Sequence, residues 1–239
     1  MPLGRVIGLH AGWRMSFLTM AIIAACTLTY LCFVFPKLEK TEKFTFKQLP
    51  ELFRNKNLMG LFAIAALVPT AQYAAYSYIE PFMKFVAKMP DNMVTINLMI
   101  LGCAGLLGSA IFARSYEKHV KVFLTLSIAG IAVSHLLLYP ATVNEFAMIA
   151  LFIFWGVCMT CFGMASQADL MAATTVSAAP VAMSIYSGIF NFGIGSGTWV
   201  GGMICDHIDI AYIGYGAGIL TILGTIFSAW LASHLHKKH

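Results

Sequence analysis

Charged side chains are scarce in this sequence. Lys, Arg, Asp and Glu make up 10% of the 239 residues and apolar types 59%, whereas an ordinary soluble domain carries about 25% charged residues. A water-soluble fold cannot bury that much apolar surface behind so few charges, which excludes soluble enzymes and proteins that bind nucleic acid. We therefore expect the lipid bilayer to be the solvent and the first partner of the chain.

Side chains that bind metals or carry out redox chemistry are also sparse. The six Cys residues lie inside or at the ends of apolar runs, which is typical of small core residues rather than disulfides. Cys158 and Cys161 form a C-x-x-C, but neither His nor Asp stands beside them. The sequence therefore predicts no catalytic residue, no metal site and no cofactor.

Long apolar runs dominate the chain, and a run of about 20 residues is enough to cross a bilayer as a helix. They predict an all-α membrane protein with seven transmembrane helices. We expect residues 1–36 to hold one helix, 37–56 to form an amphipathic linker, and 57–239 to form a six-helix bundle of two three-helix inverted repeats. The seven predicted spans are 15–35, 57–79, 94–113, 121–139, 145–166, 181–204 and 212–234.

The basic residues are distributed unevenly between the two sides of the predicted helices. Of the 15 Lys and Arg residues, eleven fall on the side of the 37–56 linker and four on the other side. Because basic residues accumulate in cytoplasmic loops, we expect the linker and the C-terminus inside and the N-terminus outside.

Three segments resemble a known family of transporters. Residues 2–8 (PLGRVIG), followed by Gly12-Trp13-Arg14, resemble the end of the fifth and the start of the sixth helix in drug and sugar efflux transporters of the major facilitator superfamily. Residues 70–82 (TAQYAAYSYIEPF) resemble the seventh helix of the sugar efflux branch, which exports arabinose and thiogalactosides. Residues 187–195 (SGIFNFGIG) resemble the eleventh helix of that branch.

This resemblance implies a function and an organisation. It implies a C-terminal portion of a proton-coupled efflux transporter for sugars or similar small neutral solutes, in the bacterial inner membrane, and not an enzyme. Family members have twelve helices, and the chain matches from the fifth onward, so a separate N-terminal half is an expected partner. The alternative is a truncated fragment that does not function alone.

The second predicted span carries the main candidate site. Gln72, Tyr76 and Glu80 follow one another at four-residue intervals, with Tyr73 beside them, so they share one helix face. Amides and phenols suit a neutral, hydroxylated solute, although the Tyr residues could instead belong to an interfacial aromatic belt. Glu80 is a candidate for proton coupling, and an ion pair with Lys84 is the alternative.

Later spans add further candidates, each with two interpretations. Asn191 could contact a solute hydroxyl or a neighbouring helix, and Trp155 could stack on a sugar ring or pack in the core. His135 could carry a coupling proton or serve as an interhelical hydrogen-bond donor. The small residues that favour close helix packing are Gly193, Gly197 and Gly201.

Two other classes of membrane protein fit the sequence poorly. A seven-helix receptor or rhodopsin would carry an Asp-Arg-Tyr motif or a Lys in its last span, and the chain has neither. An intramembrane serine protease needs G-x-S-G, whereas Ile194 precedes Ser196 where that motif has its first Gly.

Overall fold

The chain divides into two compact units, residues 1–43 and 44–239. Both are all-helical in the part that can be described, which confirms the predicted fold class. The computed structural model describes residues 7–8, 12–34 and 49–235.

Some of the sequence predictions fall outside the described residues. Residues 2–6 of the N-terminal motif, residues 35–48 of the linker and residues 236–239 at the C-terminus are among them. Several of the basic residues that support the predicted orientation lie in these segments, so the orientation stays a prediction.

The first unit contributes the helix α1, and the second unit contains α2–α8 with one π-helix and two 3-10 turns. Their bounds are α1 Trp13–Val34, α2 Leu49–Arg54, α3 Lys56–Tyr76, α4 Ile79–Pro81, the π-helix Phe82–Val86, α5 Asp91–Leu136, a 3-10 turn Pro140–Val143, α6 Glu145–Ala172, α7 Ala179–His207, a 3-10 turn Ile210–Tyr212 and α8 Ile213–Leu235.

The helix α5 contains two predicted spans and reverses direction between them. A straight 46-residue helix would be about 69 Å long, more than twice the thickness of a bilayer core. His119 leaves the helical region with φ −132° and ψ 29°. Gly108 lies against Val157 of α6, and Gly130 lies against Phe154 of the same helix. The two arms of α5, before and after His119, therefore both pack on α6 and run antiparallel to each other.

A side-chain cap fixes the start of α3 and ties it to another helix. The Asn55 side-chain oxygen accepts from the backbone N–H of Asn57 at 3.0 Å, which satisfies one of the N–H groups that a helix start leaves open. Its amide nitrogen donates to the Ala173 carbonyl just beyond α6 at 3.0 Å. The start of α3 is thereby held next to the end of α6.

In the second unit, α7 packs closely on α3. A Cβ on Gly193 would lie 2.9 Å from the Ala66 carbonyl oxygen, and a Cβ on Gly201 would lie 2.8 Å from the Tyr78 ring. Between them Gly197 faces the Thr70 carbonyl. Helices can approach this closely only where the side chains at the contact are small.

The described helices account for the predicted spans. The described part of the second unit contains six long helical segments, namely α3, the two arms of α5, α6, α7 and α8, which is the number expected for one half of a transporter bundle. The helix α7 has 29 residues but carries a larger share of Gly, Ser, Asn and Thr than the other long helices. Five described helical segments are long and apolar enough to cross a membrane: Trp13–Val34, Lys56–Val86, Asp91–Leu136, Glu145–Ala172 and Ile210–His234.

Candidate solute-binding site

Gln72 and Trp155 form a buried hydrogen-bonded pair between α3 and α6. The Trp155 indole N–H donates to the Gln72 side-chain oxygen at 3.0 Å, and the Gln72 amide nitrogen donates to the Met159 sulfur at 3.2 Å. Indole is a donor only, so this contact fixes which end of the Gln72 amide faces Trp155. Trp155 is fully buried and Gln72 is 4% exposed, which places the pair in the interior of the bundle.

Aromatic rings surround this pair. Tyr76 packs edge-on against Trp155 with ring centroids 6.3 Å apart, and Tyr73 packs edge-on against Tyr76 at 5.5 Å. Phe152 completes the cluster one turn before Trp155 on α6, at 5.8 Å. Both Tyr residues are half-buried, so a wall of phenol rings extends from the buried pair toward the surface of the bundle.

His135 joins the cluster from the second arm of α5. Its ring lies edge-on to Trp155 at a centroid distance of 5.3 Å, and its Nδ1 is 2.9 Å from the Thr221 hydroxyl on α8. His135 and Thr221 are both fully buried. A chain of contacts therefore crosses the bundle from α8 through α5 and α6 to α3.

Asn191 is not brought into contact with this cluster among the described residues. It is exposed on α7, and its amide nitrogen donates to the Ser187 carbonyl of its own helix at 2.8 Å. The contacts that join α6 to α7 lie elsewhere: the Ser166 and Tyr186 hydroxyls are 2.6 Å apart, and the rings of Phe162 and Phe190 stack at 6.5 Å.

A short turn interrupts the regular helix between Tyr76 and Glu80, so a face shared by Glu80, Gln72 and Tyr76 stays a prediction. The helix α3 ends at Tyr76, and Ser77 and Tyr78 form a turn before α4 and the π-helix. Glu80 is half-buried in α4, beyond this turn. Lys84 lies 3.0 Å from the Asp91 carboxylate.

Hydroxyl groups connect the end of α3 to α7. Thr70 and Ser196 hydroxyls lie 3.0 Å apart, Ser77 and Thr198 hydroxyls 2.8 Å apart, and the Tyr78 hydroxyl donates to the Thr198 carbonyl at 3.2 Å. These contacts run along the same interface as the glycines of α7. They hold α3 and α7 together as one packed pair beside the aromatic cluster.

A cavity of about 260 Å³ lies away from the cluster, among segments of α3, α5, α6 and α8. Asn57, Lys121, Asp169 and Ser228 are among its lining residues. Beside it the Tyr116 hydroxyl donates to the Asp169 carboxylate at 2.5 Å. This contact ties the turn between the two arms of α5 to the end of α6.

Three of the residues that build the cluster escaped the sequence analysis. Met159 and Thr221 carry the outer ends of the hydrogen-bonded chain, and Phe152 supports Trp155. Met, Thr and Phe are common inside apolar helices. These three residues can therefore be told apart from ordinary core residues only once the rotation of each helix against its neighbours is known. Among the described residues, no group of three or more His, Cys, Asp or Glu could hold a metal ion.

The match to a known family agrees with this architecture. The family model described as the Major Facilitator Superfamily matches residues 1–179, about three quarters of the chain. The match runs from the N-terminal residues through α1, α3 and both arms of α5 to the start of α7. The chain therefore belongs to the Major Facilitator Superfamily and is an integral membrane protein of a transporter family.

Proposed function

We propose that the chain takes part in the export of sugars or similar small, neutral, hydroxylated solutes. The observation that supports this function best is the buried pair of Gln72 and Trp155 with the phenol wall of Tyr73 and Tyr76 next to it. Its groups supply donors, acceptors and ring faces without a formal charge. A sugar presents the matching surface, with hydroxyls at its edge and C–H groups on its faces.

The neutrality of the cluster favours a neutral solute over an ionic one. A charged solute in the membrane interior needs a counter-charge, because an unpaired ion there is costly. None of the cluster residues is an Asp, Glu, Lys or Arg; they are Gln72, Tyr73, Tyr76, His135, Phe152, Trp155 and Met159. Asn191 is proposed as an additional polar contact from α7, since its side chain is exposed and offers a carbonyl oxygen.

The site forms one wall of the proposed transport cavity. In this superfamily the cavity lies between two six-helix halves, and one half rocks against the other around it. We propose that an N-terminal six-helix bundle supplies the opposite wall and that protons drive export, with Glu80 and His135 as coupling candidates. The proposed setting is a bacterial inner membrane with the N-terminus outside and the C-terminus inside.

Export of a radiolabelled methyl thiogalactoside from vesicles tests this function. We expect proton-driven export when the chain is combined with a separate N-terminal six-helix bundle, and none from the chain alone. Tyr76→Phe and Gln72→Leu should each reduce export. Tyr139→Phe serves as the matched control, because Tyr139 is exposed and its ring packs on Tyr215 instead of on Tyr76 or Trp155.

Two outcomes would contradict the proposal. Equal inactivity in both preparations would count against sugars as the solutes. Export by the chain alone would overturn the need for a second bundle and leave the site itself in place.

A further inference from the structure

The protonation of His135 follows from its hydrogen bond with Thr221. The Thr221 hydroxyl has one proton, which it donates to the Ala217 carbonyl at 2.8 Å. It must therefore accept from His135, whose Nδ1 lies 2.9 Å away. This places the ring proton on Nδ1 and leaves Nε2 as an acceptor with a lone pair.

That acceptor has no hydrogen-bond partner among the described residues, and the His135 side chain is fully buried. Buried polar atoms are nearly always paired, so an exception calls for an explanation. The neighbouring ring is Trp155, at a centroid distance of 5.3 Å and nearly perpendicular. The unpaired acceptor and the indole donor therefore belong to two rings that pack against each other in the core.

In the structure the Trp155 indole N–H is hydrogen-bonded to the Gln72 side-chain oxygen. Gln72 is only 4% exposed and its two polar atoms face Trp155 and Met159, so a solute hydroxyl that takes the place of the indole N–H at the Gln72 oxygen leaves Trp155 without its acceptor. The indole N–H then needs another acceptor, since a buried donor without a partner is costly. His135 Nε2 is an unpaired buried acceptor on the ring that packs against the indole.

We propose that His135 is a positioning residue for solute binding: its Nε2 accepts the Trp155 indole N–H when a solute hydroxyl takes the Gln72 oxygen. This inference rests on the proposed function, because it assumes that the solute contacts Gln72. The hydrogen bond moves from the α3–α6 contact to the α5–α6 contact. Solute binding thereby loosens α3 from α6 and changes how the helices pair.

The hydrogen bond of the indole can be followed without any solute by ultraviolet resonance Raman spectroscopy. The full chain is first reduced to a single indole at Trp155 by replacing the other Trp residues with Phe. Gln72→Leu removes the present acceptor, and we expect the indole to stay hydrogen-bonded because His135 takes over. The double variant Gln72→Leu/His135→Phe should show a free indole, and His135→Phe alone a bonded one.

A free indole in Gln72→Leu, equal to that in the double variant, would overturn the inference. Far-UV circular dichroism checks that each variant keeps its helix content, and Phe at position 135 keeps the ring that packs on Trp155. If a variant that carries His135→Phe unfolds, His135→Leu takes the place of that substitution, because Leu also lacks the acceptor.

Binding of methyl thiogalactoside to the same proteins separates this inference from the proposed function. We expect His135→Phe to weaken binding at least tenfold, and His135→Gln, whose side-chain oxygen can accept, to restore part of it. Equal binding by the original chain and His135→Phe would refute the inference and leave the proposed function standing. If the original chain binds no galactoside even when it is combined with an N-terminal bundle, the proposed function fails and the inference fails with it.

Discussion

Replacing Gly193 by Ala should weaken the packing of α7 on α3. The new Cβ would lie 2.9 Å from the Ala66 carbonyl oxygen and 3.1 Å from Pro69 Cβ, whereas ordinary contacts begin at 3.4 Å. Since the obstacle is largely backbone, the helices must separate by about half an ångström. Overpacking of this kind costs about 1–3 kcal/mol.

The glycine at position 195 provides a matched control on the same helix. A Cβ on Gly195 meets nothing within 4 Å, so Gly195→Ala introduces the same methyl group without a collision. Ala is also the better helix former, by up to about 1 kcal/mol in water. We therefore expect Gly195→Ala to be neutral or slightly stabilising.

Reversible unfolding in mixed micelles of a mild detergent and dodecyl sulfate, followed by circular dichroism, measures both changes. The free energy of unfolding should fall for Gly193→Ala and not for Gly195→Ala. Gly197→Ala should be at least as damaging, because its Cβ would overlap the Thr70 carbonyl oxygen. Equal shifts for Gly193→Ala and Gly195→Ala would refute the close packing of α7 on α3.

Three further predictions concern other parts of the second unit. Trp155→Phe should lower the free energy of unfolding by about 1–3 kcal/mol, because it leaves the buried Gln72 oxygen without its donor; a change near zero in the same micelle assay would contradict the pairing. Tyr116→Phe removes the hydrogen bond to Asp169 and should cost about 1 kcal/mol at this half-buried position, which the same unfolding curve tests against the unaltered chain. A reporter enzyme fused after Lys118 should give a cytoplasmic signal, and a periplasmic signal there would reverse the predicted orientation.

The sequence was sufficient to locate the helices but not to pair their faces. Apolar length predicts six crossing elements in the second unit, and the charged run around Lys118 predicts the turn between the arms of α5. The pairing of Gln72 with Trp155 depends on how α3 and α6 are rotated about their axes, and one residue of rotation error turns a face by about 100°. A single sequence contains no information that fixes this rotation.

The region around Glu80 shows where a regular helix pattern is interrupted. The four-residue spacing assumes one continuous helix, yet α3 ends at Tyr76. At the turn that follows, Ser77 and Tyr78 both bond to Thr198 of α7, so this turn is tied to another helix. If Glu80 carries the coupling proton, as we propose, we expect its protonation to act on the Tyr76 ring through this turn and its contacts with α7.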